Sequence, residues 1–250
     1  MKRQLVHRLA AVCILLCIAA LGYYFCLRQS ARQEYGELAK TAGPESIQAA
    51  EASGTPAESE RTWKERIKEL QQENPDTVAW IEIPDTPVSY PLLYSGDNDT
   101  YMTRTFSGEE NASGAIFLEQ HNDPELTDMT LFIYGHNMRD NSMFGSLWEY
   151  RDAAYLEEHP LIWLHTEEGS LAYEIFSVHR ADTGTGTYTL YREADAGYAA
   201  YLESEKAASA YDTGVEPEGT EQAVILVTCT SDTEEGRFVV LGRRISPEES

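Results

Sequence analysis

Of the four cysteines, three fall within the first 26 residues, and Cys229 stands alone in the rest of the chain. It closes the apolar run "AVILVTC", and the polar stretch "TSDTEEG" separates it from Arg237, which heads a second apolar run, "RFVVLG". If the two runs pair as antiparallel strands, Cys229 and Arg237 meet at one rim. A thiolate is a nucleophile, and a guanidinium keeps its charge and presents directed donors suited to a developing oxyanion. The chemistry in view is acyl transfer. Each residue also has a plainer reading: a free cysteine often packs as a small hydrophobe, and Arg237 could pair with Glu234 or Glu235.

A cysteine nucleophile needs a proton partner, usually histidine, which serves as both acid and base near neutral pH. Beyond the N-terminal segment the candidates are His121, His136, His159, His165 and His179. His159 in "LEEHP" reads as a helix end and His165 as mid-strand, both structural. His121, His136 and His179 each follow an apolar run, so spacing leaves three rivals. "LFIYGHNMRDNSMFG" puts His136 after a glycine at a strand terminus, where a solvent-reachable imidazole is expected. "IFLEQHND" offers His121 a similar position.

The elements that must position these residues are short. "RTWKERIKELQQENP" places Trp63, Ile67 and Leu70 at helical spacing, with Asn74 and Pro75 to stop the helix. The first strand follows at 78–83. "VSYPLLY", "GAIFLEQ", "MTLFIYG", "PLIWLHT", "LAYEIFSVHR", "AVILVTC" and "RFVVLGRR" complete seven or eight strands, which predicts a closed or nearly closed β structure rather than a doubly wound sheet. Helices are expected around "SMFGSLWEYRDAAYLEEHP" and "YREADAGYAAYLESEKAASAY", the latter burying Tyr198, Tyr201 and Leu202.

The N-terminus sets the compartment. Leu9 to Leu27 is an uncharged, mostly apolar run of 19 residues preceded by Lys2, Arg3 and Arg8. That is long enough to span a bilayer as a helix, and no small-residue cleavage site precedes the tyrosines. The chain therefore divides into a cytoplasmic tail (1–8), a transmembrane signal anchor (9–27), a stalk (28–60) and an extracytoplasmic domain (61–250). With 19 Lys and Arg against 42 Asp and Glu, the net charge of −23 repels nucleic acid. No Asp-x-Asp-x-Asp-Gly loop points to calcium. A lone thiol in a disulfide-permissive compartment is a liability that Ser or Ala would avoid, which argues for a use.

Taken together, several segments resemble the class B sortases, membrane-anchored cysteine transpeptidases of Gram-positive bacteria. "KELQQENPDTVAWIEIPDTPVSYPLL", "GAIFLEQHND", "LFIYGHNMRDNSMFGSL", "LAYEIFSV", "LVTCT" and "RFVV" occur in the family's order between about Trp63 and Ile245. The resemblance implies a mainly β fold, an eight-stranded sortase-type barrel with flanking helices. It implies Cys229 as nucleophile, His136 as general acid/base and Arg237 as the stabiliser of oxyanion or substrate, leaving His121 a loop residue. A backbone N–H near Thr230 would assist Arg237. Substrate contacts are expected from Asn98 and Met102, from Tyr188 with Thr187 a weaker candidate, and from Val227 and Thr228. Val227 stands where family members often carry Ser, and Met102 where they carry Leu. The implied reaction cleaves a C-terminal sorting signal of a secreted protein at a threonine. It then joins the new carboxyl end to an amine of a peptidoglycan precursor, with no metal or organic cofactor. Competing expectations are a pilus-polymerising sortase, an L,D-transpeptidase, whose clustered histidine and glycine before the cysteine are absent, and a non-catalytic wall-peptide binding domain.

Overall fold

The protein is described here by a computed structural model covering residues 2–44, 62–230 and 236–246. Helix α1 (Lys2–Thr41) is a single 40-residue element, and α2 (Trp63–Glu73) precedes the barrel. The start of α2 is set by a capping box: Thr62 accepts from the backbone of Glu65, while the Glu65 side chain accepts from the Thr62 N–H. Ile67 and Leu70 are buried, and the helix ends at Asn74, as their spacing predicts.

Eight strands follow: β1 (Thr77–Glu82), β2 (Ser89–Leu93), β3 (Ile116–Leu118), β4 (Thr130–Tyr134), β5 (Leu161–His165), β6 (Ser170–Asp182), β7 (Ala223–Cys229) and β8 (Gly236–Ile245). They close into a barrel in the order β1-β2-β3-β4-β7-β8-β6-β5. The pairs β2–β3 and β4–β7 are parallel and the others antiparallel. Helix α3 (Ala153–Glu158), after a 3-10 segment at Gly145–Arg151, and helix α4 (Ala196–Ala207) fill the two gaps where helices were expected.

β7 is the central strand of the functional face, and its composition explains why. Residues 223–228 are all buried, because β4 and β8 flank the strand and both of its faces are covered. Alternation sends Val224 and Leu226 into one core with Ile133 and Val240. Ala223, Ile225 and Val227 join a second cluster, with Phe132, Val239 and the α4 residues Tyr198, Tyr201 and Leu202. The period of two therefore puts Cys229 on the face of Val227, and Thr228 on the other.

Helix α1 has two halves of different character. Val12, Leu16, Leu21 and Phe25 are more than half exposed, along the stretch apolar enough to cross a membrane. Further along, Ala31, Tyr35 and Ala42 are buried against the barrel. Buried Arg66 of α2 reaches the carbonyl of Ala42 at 3.4 Å, near the C-terminal end of α1, where a cation is favoured. Within the expected stalk, 28–43 is a helix and turn packed on the domain. The rest of that expectation, 45–60, lies outside the described residues.

Candidate active site

Strand register brings the chemistry-bearing residues to one rim. β7 pairs with β8 so that Cys229 lies directly opposite Arg237, as the hairpin reading requires. On the other side of β7, Tyr134 pairs with Val227, and the Gly135 N–H continues the ladder to the Val227 carbonyl at 3.1 Å. His136 follows immediately, so β4, β7 and β8 each deliver one candidate side by side. A cavity of about 180 Å³ is bordered by His136, Cys229, Arg237, Asn98, Met102 and Val227, with Phe117 and Tyr134 as aromatic wall. A larger open basin of about 1300 Å³, edged by Gln71, Leu126, Glu167 and Arg243, shares no residue with it.

The imidazole of His136 is oriented by backbone. Its Nε2 lies 2.7 Å from the Met102 carbonyl, an acceptor only, so Nε2 carries the proton and Nδ1 is the nitrogen left to exchange one. Glycines make this approach possible. At Gly135 a Cβ would sit 2.7 Å from the Phe144 ring. Gly114, at φ +57°, would place one 2.9 Å from the Met102 carbonyl oxygen and 3.1 Å from His136 Cδ2. Asn137 then ties the histidine segment to the cysteine strand, its Nδ2 donating to the Cys229 carbonyl at 2.9 Å. Neither the Met102 carbonyl nor Asn137 was singled out in the sequence. A backbone acceptor leaves no mark there, and an Asn beside a candidate histidine reads as turn chemistry.

Arg237 is half-buried and donates from Nη1 to the Gly236 carbonyl at 3.0 Å. The Thr230 N–H, expected to assist it, donates instead to the Gly236 carbonyl at 3.0 Å, closing the hairpin. Glu234 and Glu235 lie outside the described residues.

The substrate-contact expectations divide. Asn98, Met102 and Val227 border the cavity, although Val227 is almost wholly buried and Asn98 is engaged, donating to Glu119 Oε1 (3.0 Å) and accepting from the Gln120 N–H (2.9 Å). Thr228 borders the cavity too, but it is buried and its hydroxyl is spent on the Gly135 carbonyl at 2.8 Å, a pin between β7 and the end of β4. Tyr188 lines a neighbouring cavity of about 480 Å³ that shares Tyr134 and Arg237 with the first. Its hydroxyl is buried with no hydrogen-bond partner among the described residues, and burial pushes its pKa well up. Burial likewise raises Tyr134 to about 12, so both phenols stay neutral donors. Thr187 is buried and donates to Glu205 Oε1 at 3.1 Å, a structural place.

The other four candidate histidines have structural partners. Exposed His121 pairs with Glu119 at 3.0 Å; burial would raise that carboxyl's pKa, but hydrogen bonds from Asn98 and His121 outweigh it and hold it low. His159 caps α3 and meets the Pro84 carbonyl. His165 stacks on Trp63 at 4.0 Å and faces Glu82. His179 is buried on β6 beside Glu205.

The family model described as the sortase domain matches residues 81–245. The chain belongs to the sortase family. Sortase B of Listeria monocytogenes is 34% identical over 187 residues, which cover 73% of this chain and 75% of that protein. Sortase B of Staphylococcus aureus is 27% identical over 182 residues, or 72% and 75% of the two chains. In fold, the structure of a Staphylococcus aureus sortase B–substrate complex superposes with a TM-score of 0.76 at 24% identity, covering 88% of this chain and 98% of that one. The sortase reached from the sequence is therefore of class B, a cysteine transpeptidase of cell-wall sorting.

Proposed function

We propose that Cys229 is the nucleophile of this sortase, His136 its general acid and base, and Arg237 the group that holds the oxyanion. The observation that carries the assignment is the convergence of all three on one cavity, with Cys229 and Arg237 in direct register. Cys229 passes its thiol proton to His136 as Sγ attacks the threonine carbonyl of a sorting signal, forming a tetrahedral intermediate whose oxyanion Arg237 stabilises. The C–N bond breaks, His136 gives its proton to the leaving amine, and a thioester remains. An incoming amine attacks the thioester, His136 takes up its proton and passes it to the departing Cys229 sulfur, and the amide product leaves with the thiol restored.

The client is a secreted protein with a C-terminal sorting signal, and the acceptor is an amine of a peptidoglycan precursor. The peptide runs from the Cys229 cavity towards the neighbouring one, past the arginine and tyrosine the two share, so that the Tyr188 hydroxyl, without a partner among the described residues, meets a polar group of the signal. Asn98, Met102 and Val227 line the reacting end. Residues 9–27 cross the membrane once, with 1–8 inside and the catalytic domain, from 61 on, outside. The exposed apolar side chains of α1 favour this placement by about 1.5–3 kcal/mol each relative to water.

The test is turnover of a pool of sorting-signal peptides with an added amine. Wild-type protein should cleave a subset and form the amide, and Cys229→Ala should do neither. Equal turnover by both would refute the assignment.

A further inference from the structure

Helix α1 leaves its apolar stretch and at once grips the two segments around His136. Arg28 places Nη2 2.9 Å and Nε 3.2 Å from Asp140 Oδ2, and Arg32 Nε stands 3.8 Å from the same oxygen. Asp140 lies four residues after His136, and its other oxygen accepts from the Ser142 hydroxyl (2.6 Å) and N–H (3.3 Å). The segment is closed by Asn137 bridging to Met143 and by the Phe144 N–H donating to the His136 carbonyl. The Met143 N–H in turn donates to the Tyr90 hydroxyl, whose ring meets Tyr35 of α1 edge-on at 5.4 Å.

A second set of contacts reaches the segment that carries Met102. The Tyr35 hydroxyl donates to the Gly114 carbonyl (2.7 Å) and accepts from the Phe106 N–H (3.2 Å). Glu34 accepts from the Ser107 N–H at 2.7 Å, and the Leu27 carbonyl from Asn111 Nδ2 at 2.5 Å. Gly114 is the residue packed beneath the Met102 carbonyl and the His136 ring. Both the acceptor that orients the imidazole and the chain that follows it are thus fastened to one helix.

We propose that residues 27–35 of α1 are a positioning clamp for His136, with Arg28–Asp140 as its central ion pair, so that the membrane helix and the imidazole move as one piece; this rests on His136 acting as assigned above. Docking alone would be met by the apolar contacts of Ala31, Tyr35 and Ala42. Arg28, Glu34 and the Leu27 carbonyl go further and engage the polar loops on either side of the site. The side chains of Arg28 and Asp140 are 30% and 16% exposed, so salt screens the pair less than a free surface contact.

The test uses the full chain in detergent micelles and compares wild type with Arg28→Glu, Asp140→Arg and the double swap, each backed by the milder Arg28→Gln and Asp140→Asn. Amide exchange is followed in 136–144 and 100–114, and turnover of a sorting-signal peptide pool is resolved into kcat and KM. Each single reversal should speed exchange in 136–144 and lower kcat by about fivefold, with KM within about twofold, the scale of coupling carried by such contacts. The double swap should recover most of both losses. Lys40→Ala, on the exposed side of the same helix, should change neither. Unchanged exchange in the single reversals, or a double swap as impaired as the worse single, overturns the clamp. If wild type turns over no more peptide than Cys229→Ala, the transpeptidase assignment is what fails, and the exchange data still decide whether the clamp exists.

Discussion

On β6, Ser177 Oγ lies 3.1 Å from His179 Nδ1, and His179 Nε2 lies 3.2 Å from Glu205 Oε2. Hydroxyl, imidazole and carboxylate stand in line, as in a serine hydrolase. At the rim of β4, β7 and β8, Cys229, His136 and Arg237 come from three separate elements and share a cavity wall. The first group is better connected and the second is better placed. Ser177 is wholly buried, its hydroxyl donates to the Glu205 carbonyl at 2.6 Å, and Thr187 occupies the other carboxylate oxygen. No substrate carbonyl can reach it. The lesson is that proximity of reactive types marks a site only where a reacting atom from outside can enter; sealed in, the same types hold α4 against β6.

Substitutions can break this contrast in order of effect. Cys229→Ala should lower peptide turnover by at least about 10⁴-fold while leaving the thermal midpoint within a few degrees, since the residue ends a strand at a cavity. His136→Ala should lower it by about 10²–10⁴-fold, measured as kcat/KM against the same peptides. Arg237→Ala should cost about 10²–10³-fold in kcat, and Arg237→Lys should recover little of it, because the ammonium lacks the planar fork. In the buried cluster the pattern should reverse. His179→Ala strands the Glu205 carboxylate and should cost about 3 kcal/mol of stability in denaturant titration, yet the molecules that remain folded should turn over peptide at near the wild-type rate. His121→Ala should change stability by less than about 0.5 kcal/mol, as exposed pairs do, and kcat by less than twofold, any effect falling on KM because His121 edges the neighbouring cavity.

Most of the site was legible because the residues follow strong local patterns. An apolar run with a thiol at its end, a polar loop and an arginine before the next run specify a hairpin register, and the observed pairing of Cys229 with Arg237 follows from it. Choosing His136 over His121 and His179 needed the family resemblance, because periodicity alone gave all three the same place after an apolar run. Thr228 borders the cavity, but strand alternation turns it away from the face of Cys229 and its hydroxyl donates to the Gly135 carbonyl. The docking of 28–43 was less legible. Its contact face rests on Ala31, Ala42 and the single aromatic Tyr35, and two alanines and one tyrosine set among Glu, Gln, Ser and Gly carry little hydrophobic signal.

The proposed chemistry requires that Cys229, and no other group, carry the acyl fragment. Intact-mass measurement of the wild-type chain mixed with a cleavable sorting-signal peptide, quenched in acid without added amine, tests it directly. The expected result is a mass increase equal to the N-terminal fragment of the peptide, mapped to Cys229, discharged by an amine and absent from Cys229→Ala. Peptide cleavage with the adduct on another residue, or an identical adduct in Cys229→Ala, would contradict it.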